Sequence, residues 1–140
     1  MAGRLEYRRR FKGIRITPSA PQFDHSRRVL LVDDDLDTVE AMAQLCKVCG
    51  HEVRCAITGR AAIEAAKAFR PEVVVLDVHL PDVPGDKVAR QLKSQPGMES
   101  TRVIAISGDD RMRAPALNAG CNEFYVKPVS LKLLEKLLRE

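Results

Sequence analysis

Five groups in this chain could do chemistry together. Asp33 and Asp34 belong to a run of three carboxylates, "DDD", directly after the apolar stretch "RVLLV". Asp77 closes "VVVL", Ser107 closes "VIAI", and Lys127 closes "EFYV" just ahead of Pro128. Each follows a short, largely β-branched or aromatic run that reads as a buried strand. An ionised carboxylate at the tip of such a strand loses hydration and needs a compensating partner. Were Asp33, Asp34 and Asp77 to converge, they would repel one another, and Lys127 would leave about two negative charges in excess. A hard divalent cation fits that remainder, because Mg²⁺ takes oxygen ligands and is usually held by one or two carboxylates plus a phosphate. The set therefore suits a phosphoryl group that shares a metal. Asp77 would attack phosphorus to form an acyl phosphate, with Lys127 and the metal neutralising charge. The Ser107 hydroxyl would donate to a phosphoryl oxygen. No His, Cys or further base is placed to release the product quickly, so the residues describe a phosphate-holding device more than a turnover enzyme.

Convergence depends on the elements. From Arg28 onward strands and helices alternate: "RVLLVD", "HEVRCA", "EVVVLD", "TRVIAIS" and "CNEFYVK" as strands. Between and after them come helices over "DTVEAMAQLCKVCG", "TGRAAIEAAKAFR", "GDKVARQLKS", the short "RMRAPALNAG" and "SLKLLEKLLRE". Such alternation implies right-handed crossovers and an α/β fold, one five-stranded parallel sheet with helices on both faces. The flavodoxin-like order 2-1-3-4-5 is the leading candidate, and it puts the functional crevice at the carboxyl ends of strands 1 and 3. Taken singly the groups have plainer readings. Asp77 could cap the loop after it, Asp35 and Asp37 help start the first helix, and Lys127 could be a solvated lysine. The weight lies in their recurrence at four strand ends.

With those residues in place, the chain resembles the receiver domain of two-component response regulators. The resemblance covers about residues 28–140 and rests on "VLLVDDD", "VVVLDVHLPDVPG", "IAISG" and "EFYVKP". It implies that Asp77 is the phosphoacceptor, that Asp34 and Asp77 contact Mg²⁺ directly (Mn²⁺ or Ca²⁺ substituting), that His79 adds its backbone carbonyl, and that Asp33 acts through water. It implies a switch pair of Ser107 and Phe124, and Lys127 as the required lysine. Phosphoryl would come from a phosphohistidine on a histidine kinase or a histidine phosphotransfer protein. The face of helix 4, strand 5 and helix 5 would then be biased between two states toward a downstream protein partner, a homodimer being one outcome. Phe124 and Tyr125 should point to opposite sides of their strand. His79 stands where many members carry another residue; a backbone ligand tolerates this, and the imidazole facing the site would alter phosphoryl lifetime or phosphatase access. Gly108, where Ala is common, would loosen the loop before helix 4.

Composition agrees with a single soluble domain. The chain has 140 residues, 45% hydrophobic and 30% charged, and no apolar run of the roughly 20 residues a membrane span needs. No secretory signal is evident, and a cytoplasmic location follows. Of the +4 net charge, residues 1–28 hold eight Lys or Arg against Glu6 and Asp24, which leaves the remainder mildly acidic. Residues 1–26 read as a basic flexible arm or linker and 27–140 as the domain. The arm could engage nucleic acid or an anionic surface, but Tyr7 and Phe11 do not make a stacking platform, and a solvated leader is the simpler account. Among four cysteines, Cys46 and Cys49 lie on the apolar face of a helix, and "CKVCGHEVRC", His51 included, matches no usual zinc spacing.

Two other classes fit less well. A flavodoxin needs a phosphate loop where "DDD" would repel phosphate. A haloacid-dehalogenase-like phosphatase would use Asp33 and Asp35 as D-x-D and leave Asp77 unexplained. Because the chain ends about ten residues into its last helix, the expectation is a stand-alone regulator or the C-terminal receiver of a hybrid histidine kinase.

Overall fold

The computed structural model describes residues 26–140. The expected basic arm lies outside the described residues. Five strands, β1 (Arg28–Val32), β2 (Glu52–Ala56), β3 (Val73–Asp77), β4 (Arg102–Ser107) and β5 (Glu123–Val126), form one sheet in the order β2-β1-β3-β4-β5. All four pairings are parallel. Five helices connect or follow them: α1 (Leu36–Val48), α2 (Gly59–Phe69), α3 (Gly85–Ser94), α4 (Arg113–Asn118) and α5 (Leu131–Arg139). The 2-1-3-4-5 expectation is met.

The central strand shows why the sheet needs cover on both faces. Every residue of β3 is buried. Val74 and Leu76 pack with Leu30, Val32, Ala62, Val88 and Leu92 on the side of α2 and α3. Val73 and Val75 pack with Val29, Leu31, Met42, Cys46 and Leu134 on the side of α1 and α5. Alternation along the strand sends successive side chains into opposite layers, so a continuous apolar run is what a doubly covered strand requires.

Helix ends follow local chemistry. Cys49 caps α1, Gly50 after it adopts a φ of 90°, and the His51 N–H reaches the Cys46 carbonyl at 2.9 Å, which satisfies a terminal carbonyl as a left-handed glycine cap does. Thr58 caps α2 by accepting the Ala61 N–H at 3.1 Å, and Ser130 caps α5 by accepting the Leu133 N–H at 3.0 Å. The fourth helical segment differs from a single helix over 111–120. Asp109 accepts the Arg111 N–H to start a 3-10 turn at Asp110–Met112, and α4 proper begins only at Arg113, with Pro115 in its first turn where a missing N–H is tolerated. Asp35 occupies the N-cap position of α1, but its carboxylate takes the Thr38 hydroxyl at 2.6 Å and not a helix N–H.

Candidate functional site

Sheet register assembles the site. Val32 pairs with Leu76, so Asp33 and Asp77 emerge side by side at the ends of β1 and β3. Asp77 pairs with Ile106, which sets Ser107 one residue further along β4. Ser107 pairs with Val126, which sets Lys127 one residue beyond β5. Five groups scattered along the chain thereby face one crevice, where neighbouring crossovers leave on opposite sides.

The two buried carboxylates are held in the same way. One oxygen of each accepts the N–H two residues on: Asp35 N–H to Asp33 at 2.9 Å, and His79 N–H to Asp77 at 2.9 Å. This is the local turn that aspartate favours. The other oxygen of each faces Lys127, whose ammonium lies 3.2 Å from Asp33 and 3.2 Å from Asp77. Burial pulls the Lys127 ammonium down, yet the charges and hydrogen bonds of Asp77 and then Asp33 outweigh it and hold its pKa above the usual lysine value.

Asp34 is exposed and completes a cluster in which carboxylate oxygens of Asp33, Asp34 and Asp77 all lie within 4.8 Å of one another. Among the described residues this is the one such group of three or more His, Cys, Asp or Glu. Three carboxylates against one ammonium, with oxygen donors only, is the donor set of a hard divalent cation. The cysteines stand apart from it: Cys46, Cys49 and Cys121 are buried, burial pushes the Cys46 thiol up to about 12, and His51 accepts the Arg27 N–H at 3.0 Å.

The loop after Asp77 is fixed from two directions. The Gly85 N–H bonds the Val78 carbonyl at 3.0 Å, and a Cβ on Gly85 would collide with the Val78 backbone. Asp82 accepts the N–H groups of Gly59 and Arg60 at 2.7 and 3.0 Å, tying the loop to the start of α2. Those hydrogen bonds, Gly59's first, hold the Asp82 carboxyl below the usual carboxylate range. The opposite flank of the crevice opens beside Lys127 into a cavity of about 510 Å³ lined by Asp35, Thr38, Met42, Ile106 and Leu131.

Two contacts were not legible in the motifs. The His79 imidazole Nε2 sits 2.9 Å from the Ser107 hydroxyl, so the side chain faces the site, one of the orientations considered from the sequence, with a partner there that the motifs did not point to. Its spacing of two from Asp77 was the available signal. Phe124 is buried, and the Arg113 guanidinium stacks 4.8 Å from its ring centroid while pairing with Asp110. Tyr125 points to the other layer, as expected from strand alternation, and its hydroxyl donates to Glu123. Gly108 has open space where a side chain would be.

Comparison with known proteins agrees with this geometry. Residues 29–139 match the family described as the response regulator receiver domain. The chain is 32% identical over 106 residues to the transcriptional regulatory protein PrrA of Mycobacterium bovis, covering 76% of this chain and 46% of that protein. It is 36% identical over 114 residues to the probable transcriptional regulatory protein TcrX of Mycobacterium tuberculosis, covering 79% and 47%. The chain thus spans about half the length of these relatives. Its fold is similar to that of the chemotaxis response regulator CheY4 of Vibrio cholerae, with a TM-score of 0.77, 24% identity, and coverage of 82% of this chain and 98% of that one.

Proposed function

The chain belongs to the response regulator receiver domain family, and from that premise we propose that it accepts a phosphoryl group on Asp77 from a phosphohistidine. The observation that carries this reading is the way Asp77 is presented. It ends the central buried strand, with one oxygen fixed by the His79 N–H and the other by Lys127, next to two further carboxylates. In the transfer the nitrogen–phosphorus bond of the donor breaks, an oxygen of Asp77 bonds to phosphorus, and the donor imidazole recovers its electron pair.

Each residue has a part. Asp34, Asp77 and the backbone carbonyl of His79 would hold Mg²⁺, with Asp33 acting through water, and the ion would offset charge on the phosphoryl oxygens. Lys127 keeps the Asp77 carboxylate oriented and would meet a phosphoryl oxygen once the group is attached. Ser107 would move to donate to another oxygen, and Phe124 would follow into the space that opens. The exposed apolar residues Leu117, Val126 and Leu131, one each from α4, the end of β5 and α5, supply a surface for a downstream partner. The protein modifies itself and turns over no separate substrate, which sets it apart from an enzyme. The names of the relatives favour a response regulator over the receiver of a hybrid kinase. The haloacid-dehalogenase-like alternative is disfavoured because its D-x-D, Asp33 and Asp35, gives no role to Asp77, which lies buried beside Asp33 and is bound by Lys127.

Acetyl phosphate with Mg²⁺ tests the reading. A mobility shift on a phosphate-affinity gel is expected, absent in Asp77→Asn and absent with EDTA. A shift that persists unchanged in Asp77→Asn would overturn the assignment.

A further inference from the structure

The side chain of His79 carries an inference beyond phosphoacceptance itself. Ser107 is completely buried, at 0% exposure, so its hydroxyl must find partners within the protein. It has two. The Asp109 N–H donates to Oγ at 3.0 Å, and His79 Nε2 lies 2.9 Å away. With the Asp109 N–H a donor, Nε2 is the acceptor within reach of the single hydroxyl proton of the buried serine, and the latch takes Nε2 in that role. His79 is at the same time anchored to the phosphoacceptor, since its own N–H donates to Asp77 at 2.9 Å. Asp109 is braced in turn by the Arg111 guanidinium at 2.9 Å.

We infer that His79 is a positioning residue that latches the Ser107 hydroxyl in the unphosphorylated state and weights the protein against activation. The hydroxyl has one proton, and it is committed to Nε2. To donate to an oxyanion on Asp77, Ser107 must release His79. The latch bridges the loop after β3 and the last residue of β4, whose hydroxyl would have to move when a phosphoryl group arrives. Loss of one neutral hydrogen bond present only in the resting state should favour the phosphoryl-bound state by about 3- to 10-fold. This inference rests on Asp77 being the phosphoacceptor.

The test uses the whole chain, ¹⁵N-labelled and titrated with beryllofluoride (a phosphoryl mimic) and Mg²⁺, followed through the amides of Ser107 and Asp109. Five proteins are compared: wild type, His79→Ala, His79→Gln, Ser107→Ala, and the double variant Ser107→Ala with His79→Ala. Beryllofluoride affinity is expected to rise about 3- to 10-fold in His79→Ala and to stay near wild type in His79→Gln, where an amide oxygen can still accept the hydroxyl. In the Ser107→Ala background the His79→Ala change should have less than about a 2-fold effect, which a general loosening of the loop would not produce. Unchanged or weaker binding by His79→Ala, or an equal gain without Ser107, overturns the latch while leaving phosphoacceptance standing. Wild type that shows no beryllofluoride complex at all overturns the phosphoacceptor reading and the latch with it.

Discussion

Replacing Asp77 with Asn should stabilise the metal-free protein, although it removes an ion pair seen in the structure. Lys127 and Asp77 lie 3.2 Å apart, an attraction of about 5 kcal/mol at an effective dielectric of about 20. Asp33 and Asp34 each hold a carboxylate oxygen within 4.8 Å of Asp77, repulsions of about 3.5 kcal/mol each on the same basis before screening. Unscreened, repulsion exceeds attraction by about 2 kcal/mol. The Lys127 side chain is 36% exposed and Asp34 is exposed too, so solvent screens the attraction and the Asp34 repulsion alike and leaves a smaller surplus. Against this, an amide has one oxygen and cannot satisfy both the His79 N–H and the ammonium, a loss of about 1 kcal/mol. Relief of burying a charge acts in the favourable direction. The expected balance is a gain of about 1–2 kcal/mol, or about 4–8 °C in Tm for a domain of this size. Mg²⁺ should reverse the ranking of gains: at 100 times its Kd it would add about 2.7 kcal/mol to the wild type and much less to Asp77→Asn. Urea denaturation at pH 7 in EDTA and again in excess Mg²⁺ reads both quantities. A destabilised Asp77→Asn in EDTA, or an equal Mg²⁺ gain in the two proteins, would refute the picture of a cluster with more negative charge than Lys127 can balance.

Three further outcomes follow from particular contacts. Gly85→Ala places a Cβ against the Val78 backbone and should cost about 1–3 kcal/mol, read as a lower urea midpoint; a change within about 0.5 kcal/mol would show that the approach is looser than described. Arg113→Gln removes the cation from the face of Phe124 and should destabilise the buried ring position by about 0.5–1 kcal/mol. Methyl shifts of Ala105 and Ala116, in the same cluster as Phe124, would report it, and unmoved methyl signals would count against it. Burial first, then the charge of Arg27, holds His51 below the usual histidine value, so below about pH 6.5 the unfolded chain binds the proton more readily than the folded one. Stability from this source is present above about pH 6.5 and drains away as pH falls. The wild-type urea midpoint should drop more between pH 7.5 and 5.5 than that of His51→Gln, and parallel slopes would contradict it.

Much of the architecture was written in local pattern. Continuous valines and leucines in "VVVL" demand a strand covered on both faces, and a helix between successive strands demands parallel crossovers. Reactive groups at the carboxyl ends of four strands then had to share a crevice, because parallel strands end on one edge. The short α4 was less legible. Its 3-10 entry depends on an Asp109 turn and on Pro115, and neither leaves a periodic signal over six residues.

By itself the sequence determined which groups meet: Asp33, Asp34, Asp77, Ser107 and Lys127, since strand ends and a parallel register suffice to bring them together. Tertiary structure alone decided how they divide the work. Whether Lys127 bridges Asp33 and Asp77, 94 and 50 residues away in the chain, depends on ångström-level placement across three strands. That Asp34 is exposed while Asp33 is buried follows from the path of one turn. That His79 spends its imidazole on Ser107, 28 residues away, follows from how two irregular loops fold over the strand ends, and loops carry no repeat from which such a contact could be read.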